Sequence, residues 1–186
     1  MRILPISTRN PVLRLVNRVL RRQFGRSLTP NDVVFARLPR AIGAQLGIYL
    51  GLSKLPIEPG LQLLIQLRTA TMNGCSFCVD IGRAFATYQG LTLEKADAVH
   101  EWRTSPLFTE RERAALAYVE EATRDRRVSD AVFAALRVHF DDRQIVAITW
   151  LNAVENYFNL LNGPLEIESD GLCAIAERRV GRRTAA

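Results

Sequence analysis

Two apolar helical runs meet at Asn73-Gly74-Cys75, and this junction constrains the chain more than any other stretch. The run from Leu61 to Met72 has helical periodicity, the Asn-Gly pair breaks it, and a second run begins at once with Cys75 and Cys78 three residues apart. The pattern predicts helix, tight break, helix, with Cys75 in the first turn of the second helix and Cys78 one turn further on. A helix start has unpaired N–H groups and the positive end of the dipole, and both favour a thiolate. A thiolate attacks peroxides and disulfides, and a second cysteine on the same face can resolve the product as a disulfide. Cys75 and Cys78 are therefore the candidate catalytic residues.

The rest of the chain punctuates itself the same way. Thr109 with Glu112 reads as a capping box, Asp141 with Gln144 as a second, and Thr92 and Ser129 as further N-caps. Asn31 and Asp32 follow Pro30 at the start of a short helix, and Pro39 opens another that runs to about Leu52. Gly90 is the expected stop of the cysteine helix, Ser105-Pro106 closes the next, and Gly163-Pro164 ends a long helix at Asn162. No run alternates with period two. The expected fold is all-α with about eight or nine helices, in one domain of 186 residues.

Charge divides the chain further. Residues 1–31 hold seven arginines and no acid, and Arg178, Arg179, Arg182 and Arg183 crowd the C-terminus. Taking those eleven from 25 basic residues leaves 14 against 19 acidic ones, so the net +6 belongs to the ends and the body is mildly acidic. That argues against a nucleic-acid-binding face built into the fold. From Pro11 to Phe24, Leu13, Val16, Leu20 and Phe24 form one stripe, with Arg14, Arg18, Arg21 and Arg22 mostly off it. Such a basic amphipathic helix can lie on a membrane or imitate a targeting peptide, but an arm packed on the body or on a neighbouring subunit is the favoured expectation. The expected organisation is an N-terminal arm over residues 1–34, a helical domain over 35–165 and a basic tail over 166–186, frayed in its last dozen residues. No apolar run reaches the roughly 20 residues of a membrane span, and three cysteines make no disulfide framework, so a reducing cytoplasm is expected.

A CxxC has several chemistries. A zinc site needs two further ligands, and Cys173, His100 and His139 are scattered singly, so no metal is expected. A thioredoxin-type dithiol follows a strand, and this pattern has none. A dithiol on a helical scaffold remains. The stretch from Leu63 to Ile81, with its core Asn73-Gly74-Cys75-Ser76-Phe77-Cys78-Val79-Asp80, resembles the alkylhydroperoxidase D-like (AhpD-like) branch of the carboxymuconolactone decarboxylase family. Phe108 to Ala117, Val128-Ser129-Asp130, Phe140-Asp141-Asp142 and the run from Asn152 to Asn159 are similar to that family too.

The resemblance implies an all-helical homo-oligomer with peroxidase or thiol–disulfide activity, an external thiol as electron donor and no bound cofactor. It also implies a relay, with a Glu twelve residues before the first Cys and a His four after the second. Leu63 and Gly82 stand at those positions, so both relay groups are absent. Helix electrostatics favours Cys75 as the attacking thiol, while the resemblance favours Cys78, and the choice stays open at this level.

Possible substitutes for the relay are few. His100, in the following helix, is a candidate accessory base. Asp80 lies about 200° around the helix from Cys78 and is expected to be structural. Gly82 suits either close helix packing or room for a substrate. Glu155, Asn159 and Asn162 share one face of the long helix, which reads as a subunit seam before it reads as the wall of a polar pocket. Cys173 is expected to be inert. Two rivals to a dithiol oxidoreductase follow. One is a non-catalytic or redox-sensing oligomer. The other, weaker, is a decarboxylase of the carboxymuconolactone type.

Overall fold

The structure is a computed structural model that describes residues 1–89 and 91–184, with the backbone alone for 182–184. Among the described residues there are nine α-helices and no strand, as the periodicity predicts. They are α1 (Pro11–Phe24), α2 (Ala41–Leu52), α3 (Pro59–Met72), α4 (Ser76–Gln89), α5 (Leu93–Asp97), α6 (Glu110–Asp125), α7 (Asp130–Arg137), α8 (Asp142–Asn162) and α9 (Leu172–Thr184). A π-helical turn at Asn31–Phe35 and 3₁₀ turns at Ala98–Glu101 and Gly163–Leu165 complete the path. The stop expected at Gly90 lies outside the described residues. No helix among them is long and apolar enough to cross a membrane.

Helix α3 is central, packed on α4, α6 and α8. Its sequence explains this, because Leu61, Leu63, Leu64, Ile65, Leu67, Thr69 and Ala70 are all buried and leave it almost no solvent face. Its one charged residue is paired. Arg68 meets the buried Glu120 of α6 at 2.7 Å, and Glu120 also accepts from Trp102 and Arg103. Both capping boxes form as read, Thr109 with Glu112 and Asp141 with Gln144.

The C-terminal end differs from expectation, whereas the N-terminal arm packs on the body. From Leu172 to Thr184 the C-terminal segment is helical and not frayed, and the last two residues of the expected frayed tail lie outside the described residues. Helix α9 packs along α4, with Leu172 and Ala176 fully buried. Its start is held by Asp80, whose carboxylate accepts from the Leu172 and Cys173 N–H groups at 2.8 and 2.9 Å. Charge composition concealed this, because Arg178 and Arg179 follow closely on Leu172, Cys173 and Ala176, and only packing on α4 shows those three to be a buried face. Helix α1 lies against α9 and the π-helical turn through Leu13, Asn17 and Phe24. Arg179 of α9 donates to the Arg22 and Gln23 carbonyls at the end of α1, and Arg26 pairs with Asp170 at 2.7 Å. Arm and tail thus share one apolar cluster with the cysteine helix.

Candidate active site

The α3–α4 junction is built by backbone hydrogen bonds. Gly74 takes φ +66°, and its N–H donates to Thr71 O at 3.2 Å while Cys75 N–H donates to Ala70 O at 3.0 Å. This pair of bonds is a Schellman motif, and the left-handed residue it needs is the glycine. The motif hands the chain directly to Cys75 as N-cap of α4. The Cys75 carbonyl accepts from Val79 N–H at 2.9 Å, and its sulfur stands where a cap oxygen would, 3.3 Å from Cys78 N–H. Cys75 is therefore one position earlier than a first-turn residue, with its sulfur on one orphan N–H, that of Cys78. The two cysteines are joined as a disulfide, with a Cα–Cα distance of 5.2 Å, and both are buried.

Cys78 faces a cavity of about 100 Å³ that Cys75 does not line. Phe35, Phe77, Phe85 and Phe158 supply apolar wall, and Gln45, Tyr49, Gln66, Glu155 and Asn162 are among its polar groups. Three of these were not readable as site residues from local pattern: Gln45 and Tyr49 on α2 and Gln66 on α3. Glu155 and Asn162 were visible as a polar stripe, but the stripe points inward, which corrects the expected subunit seam. Its residues are buried and bonded to one another and to the cysteine turn. Asn73 donates to Asn156 Oδ1 at 2.9 Å and to Asn159 Oδ1 at 2.8 Å. Asn159 donates to Glu155 Oε1 at 2.7 Å, and Asn162 Nδ2 lies 3.4 Å from Cys78 Sγ and 3.9 Å from Cys75 Sγ.

Glu155 is 5 % exposed, and its hydrogen-bond partners Asn159 and Gln66 are both neutral amides. Burial raises its pKa, the hydrogen bonds from those amides pull the other way, and the balance is about 7. The Tyr49 ring is half exposed, yet its hydroxyl is hydrogen-bonded to Gln45, and desolvation raises its pKa, so it stays neutral.

The other sequence candidates lie elsewhere. Leu63 is buried in the apolar cluster around α6 and does not line the cavity. Gly82 lines it, but a Cβ there would stand 2.8 Å from Leu67 Cδ2, so this glycine serves close packing of α4 on α3. His100 is mostly exposed, with Nδ1 2.7 Å from Asp97 O and Nε2 3.3 Å from Glu101, and it is not in the cavity wall. Cys173 is buried and outside the disulfide, its thiol pKa raised by desolvation. Among the described residues no three His, Cys, Asp or Glu side chains gather as metal ligands.

This arrangement has relatives. The sequence profile of the carboxymuconolactone decarboxylase family matches residues 49–121. The Escherichia coli (strain K12) uncharacterized protein YnjA is 37 % identical over 125 residues, 67 % of this chain and 69 % of that protein. The chain belongs to the carboxymuconolactone decarboxylase family. Within it the fold is AhpD-like. ATU0492 of Agrobacterium tumefaciens, a protein of unknown function described as a candidate AhpD antioxidant-defence protein, superposes with TM-score 0.70 at 31 % identity. That match covers 74 % of this chain and 96 % of the other. A cysteine-to-alanine variant of the debrominase Bmp8, in complex with 2,3,4-tribromopyrrole, superposes with TM-score 0.80 over 97 % of both chains. At 19 % identity, that likeness concerns the fold.

Proposed function

We propose that this protein is a dithiol peroxidase in which Cys78 attacks, Cys75 resolves and Glu155 supplies the proton. The observation that carries the reading is the cavity shared by Cys78, Asn162 and a carboxyl group whose pKa of about 7 leaves it part-protonated at neutral pH. Glu155 and Asn162 lie seven residues apart on one helix face, about 10 Å along the axis. Asn162 is at the sulfur and Glu155 lines the same cavity, so this reading has the leaving oxygen of an attacked hydroperoxide directed towards Glu155.

The Cys78 thiolate attacks the terminal oxygen of ROOH, the O–O bond breaks, and the departing RO⁻ takes the Glu155 proton to become ROH. Cys78 is left as a sulfenic acid. The Cys75 thiol then displaces its hydroxyl as water and forms the disulfide, and two external thiols reduce it back to the dithiol, leaving as their own disulfide. Such a cycle suits a reducing compartment such as the cytoplasm. The cavity is too small for a protein disulfide, which favours a small hydroperoxide among the substrates a dithiol can reduce.

The test is stopped-flow oxidation of the reduced protein by tert-butyl hydroperoxide, compared with Cys78→Ser, Cys75→Ser and Glu155→Gln. Cys78→Ser should abolish the fast reaction, and Cys75→Ser should leave it but stop at the sulfenic acid. Loss of the acid should slow it by on the order of 10². A wild type no faster than a free thiol would return the pair to the redox-sensor reading.

A further inference from the structure

Asn162 has one amide group with two fates. Its Nδ2 is directed at the cysteine sulfurs, 3.4 Å from Cys78 and 3.9 Å from Cys75. Its Oδ1 is buried and has no hydrogen-bond partner among the described residues, although the residue is 3 % exposed and lines the cavity. Buried acceptors are nearly always satisfied, so an orphan beside a reactive sulfur and a cavity marks where a ligand completes the bonding. What completes it must be a donor. The Asn162 oxygen has the wrong polarity for a thiolate, an alkoxide or a disulfide.

We propose that Asn162 Oδ1 is the subsite for the terminal O–H of a hydroperoxide and then for the O–H of the Cys78 sulfenic acid. This rests on the reading that Cys78 reduces hydroperoxides. The chemistry keeps that hydrogen in place throughout. In ROOH the atom attacked is the terminal oxygen, which carries the hydrogen. Sulfur bonds to that oxygen, the O–O bond breaks, and the oxygen leaves R still carrying its hydrogen, as S–O–H. A bond from this O–H to Oδ1 made on substrate binding therefore survives the transfer, while Nδ2 offers its hydrogen first to the thiolate and then to the sulfenic sulfur. One fixed amide thus serves both sides of the step without reorganising. Asn162 touches the reacting atoms and is a catalytic residue in this account. Selectivity follows: a hydroperoxide is oriented by this acceptor, whereas a disulfide, which has no O–H, gains nothing from it.

The experiment compares two electrophiles on the same reduced protein, tert-butyl hydroperoxide and 2,2′-dithiodipyridine, with the Cys78 thiolate fraction measured for each variant. The readout is the ratio of the two second-order rate constants. Asn162→Leu removes donor and acceptor and should lower that ratio by on the order of 10². Asn162→Asp keeps an acceptor and loses the donor, so both reactions should slow together and the ratio stay near that of the wild type. It also serves as the second variant if Asn162→Leu does not fold. Equal slowing of both reagents by Asn162→Leu, or a ratio in Asn162→Asp as low as a leucine would give, would overturn the subsite and leave Asn162 acting on the sulfur alone. A wild type unreactive to the hydroperoxide but reactive to the disulfide would instead overturn the peroxidase reading itself.

Discussion

Asn73 donates to Asn159 Oδ1 at 2.8 Å, and Asn159 in turn donates to Glu155 Oε1 at 2.7 Å. One amide therefore ties the turn that positions the cysteines to the carboxyl group in the cavity wall. Because the Asn159 hydrogen bond holds the Glu155 pKa below what burial alone would set, its removal should raise that pKa above about 7. In Asn159→Leu the alkaline limb of the peroxide rate, which reports loss of the Glu155 proton, should move to higher pH. A pH–rate profile with an unmoved limb would detach Glu155 from the proton transfer.

Glu155 should also leave a mark on stability. Its folded pKa of about 7 lies above the ordinary 4.5, so between those values the native state holds a proton the unfolded chain has released. Stability therefore falls as pH rises from 4.5 to about 7 and is level above it, by at most about 3 kcal/mol. Glu155→Gln should raise the urea midpoint at pH 8 and change it little at pH 4.5.

The opposite sign is expected at Glu120. Burial would raise this carboxyl, but hydrogen bonds from Arg103, Trp102 and Arg68 hold it down to about 2. Its contribution is complete above the ordinary 4.5 and is lost as pH falls towards 2. Glu120→Gln leaves the part-buried Arg68 beside a neutral group, and should cost about 3 kcal/mol at pH 7 in denaturant unfolding.

Gly82→Ala tests why the relay histidine is absent. The new Cβ would stand 2.8 Å from Leu67 Cδ2 and 3.2 Å from its Cγ, so the buried Leu67 side chain must shift to admit it. Overpacking should cost about 1–3 kcal/mol, outweighing the roughly 1 kcal/mol gained in helix propensity. Adding Leu67→Val should recover part of the lost Tm, and additive losses in the double variant would refute the contact.

Self-association is the expectation for α2. Its twelve residues include no charge, and Tyr49 and Leu50 are 50 % and 74 % exposed. Sedimentation velocity should give a multiple of 20.9 kDa, with Leu50→Glu shifting mass towards the monomer.

The sequence by itself determined what is decided within a few residues. The capping boxes at Thr109 and Asp141 close over three residues, so the starts of α6 and α8 were legible. Asn73-Gly74 before Cys75 specified a break because only the glycine accepts φ +66° comfortably, and the spacing of the cysteines placed both on one helix start. Helical periodicity also put Glu155, Asn159 and Asn162 on one face. It could not say which helix that face meets, since a polar stripe suits a seam as well as a pocket. Packing around α3 decided it, bringing Asn162 to Cys75 across 87 residues of chain and surrounding Glu155 with neutral amides in place of water. The same reason separates the C-terminal segment read as a basic tail from the helix observed. Burial of Leu172 and Ala176 and the Asp80 carboxylate at the start of α9 exist only when α4 lies alongside. Local rules fix where helices begin and end, whereas the charge state of a carboxyl and the partner of an amide depend on what the rest of the chain takes out of water.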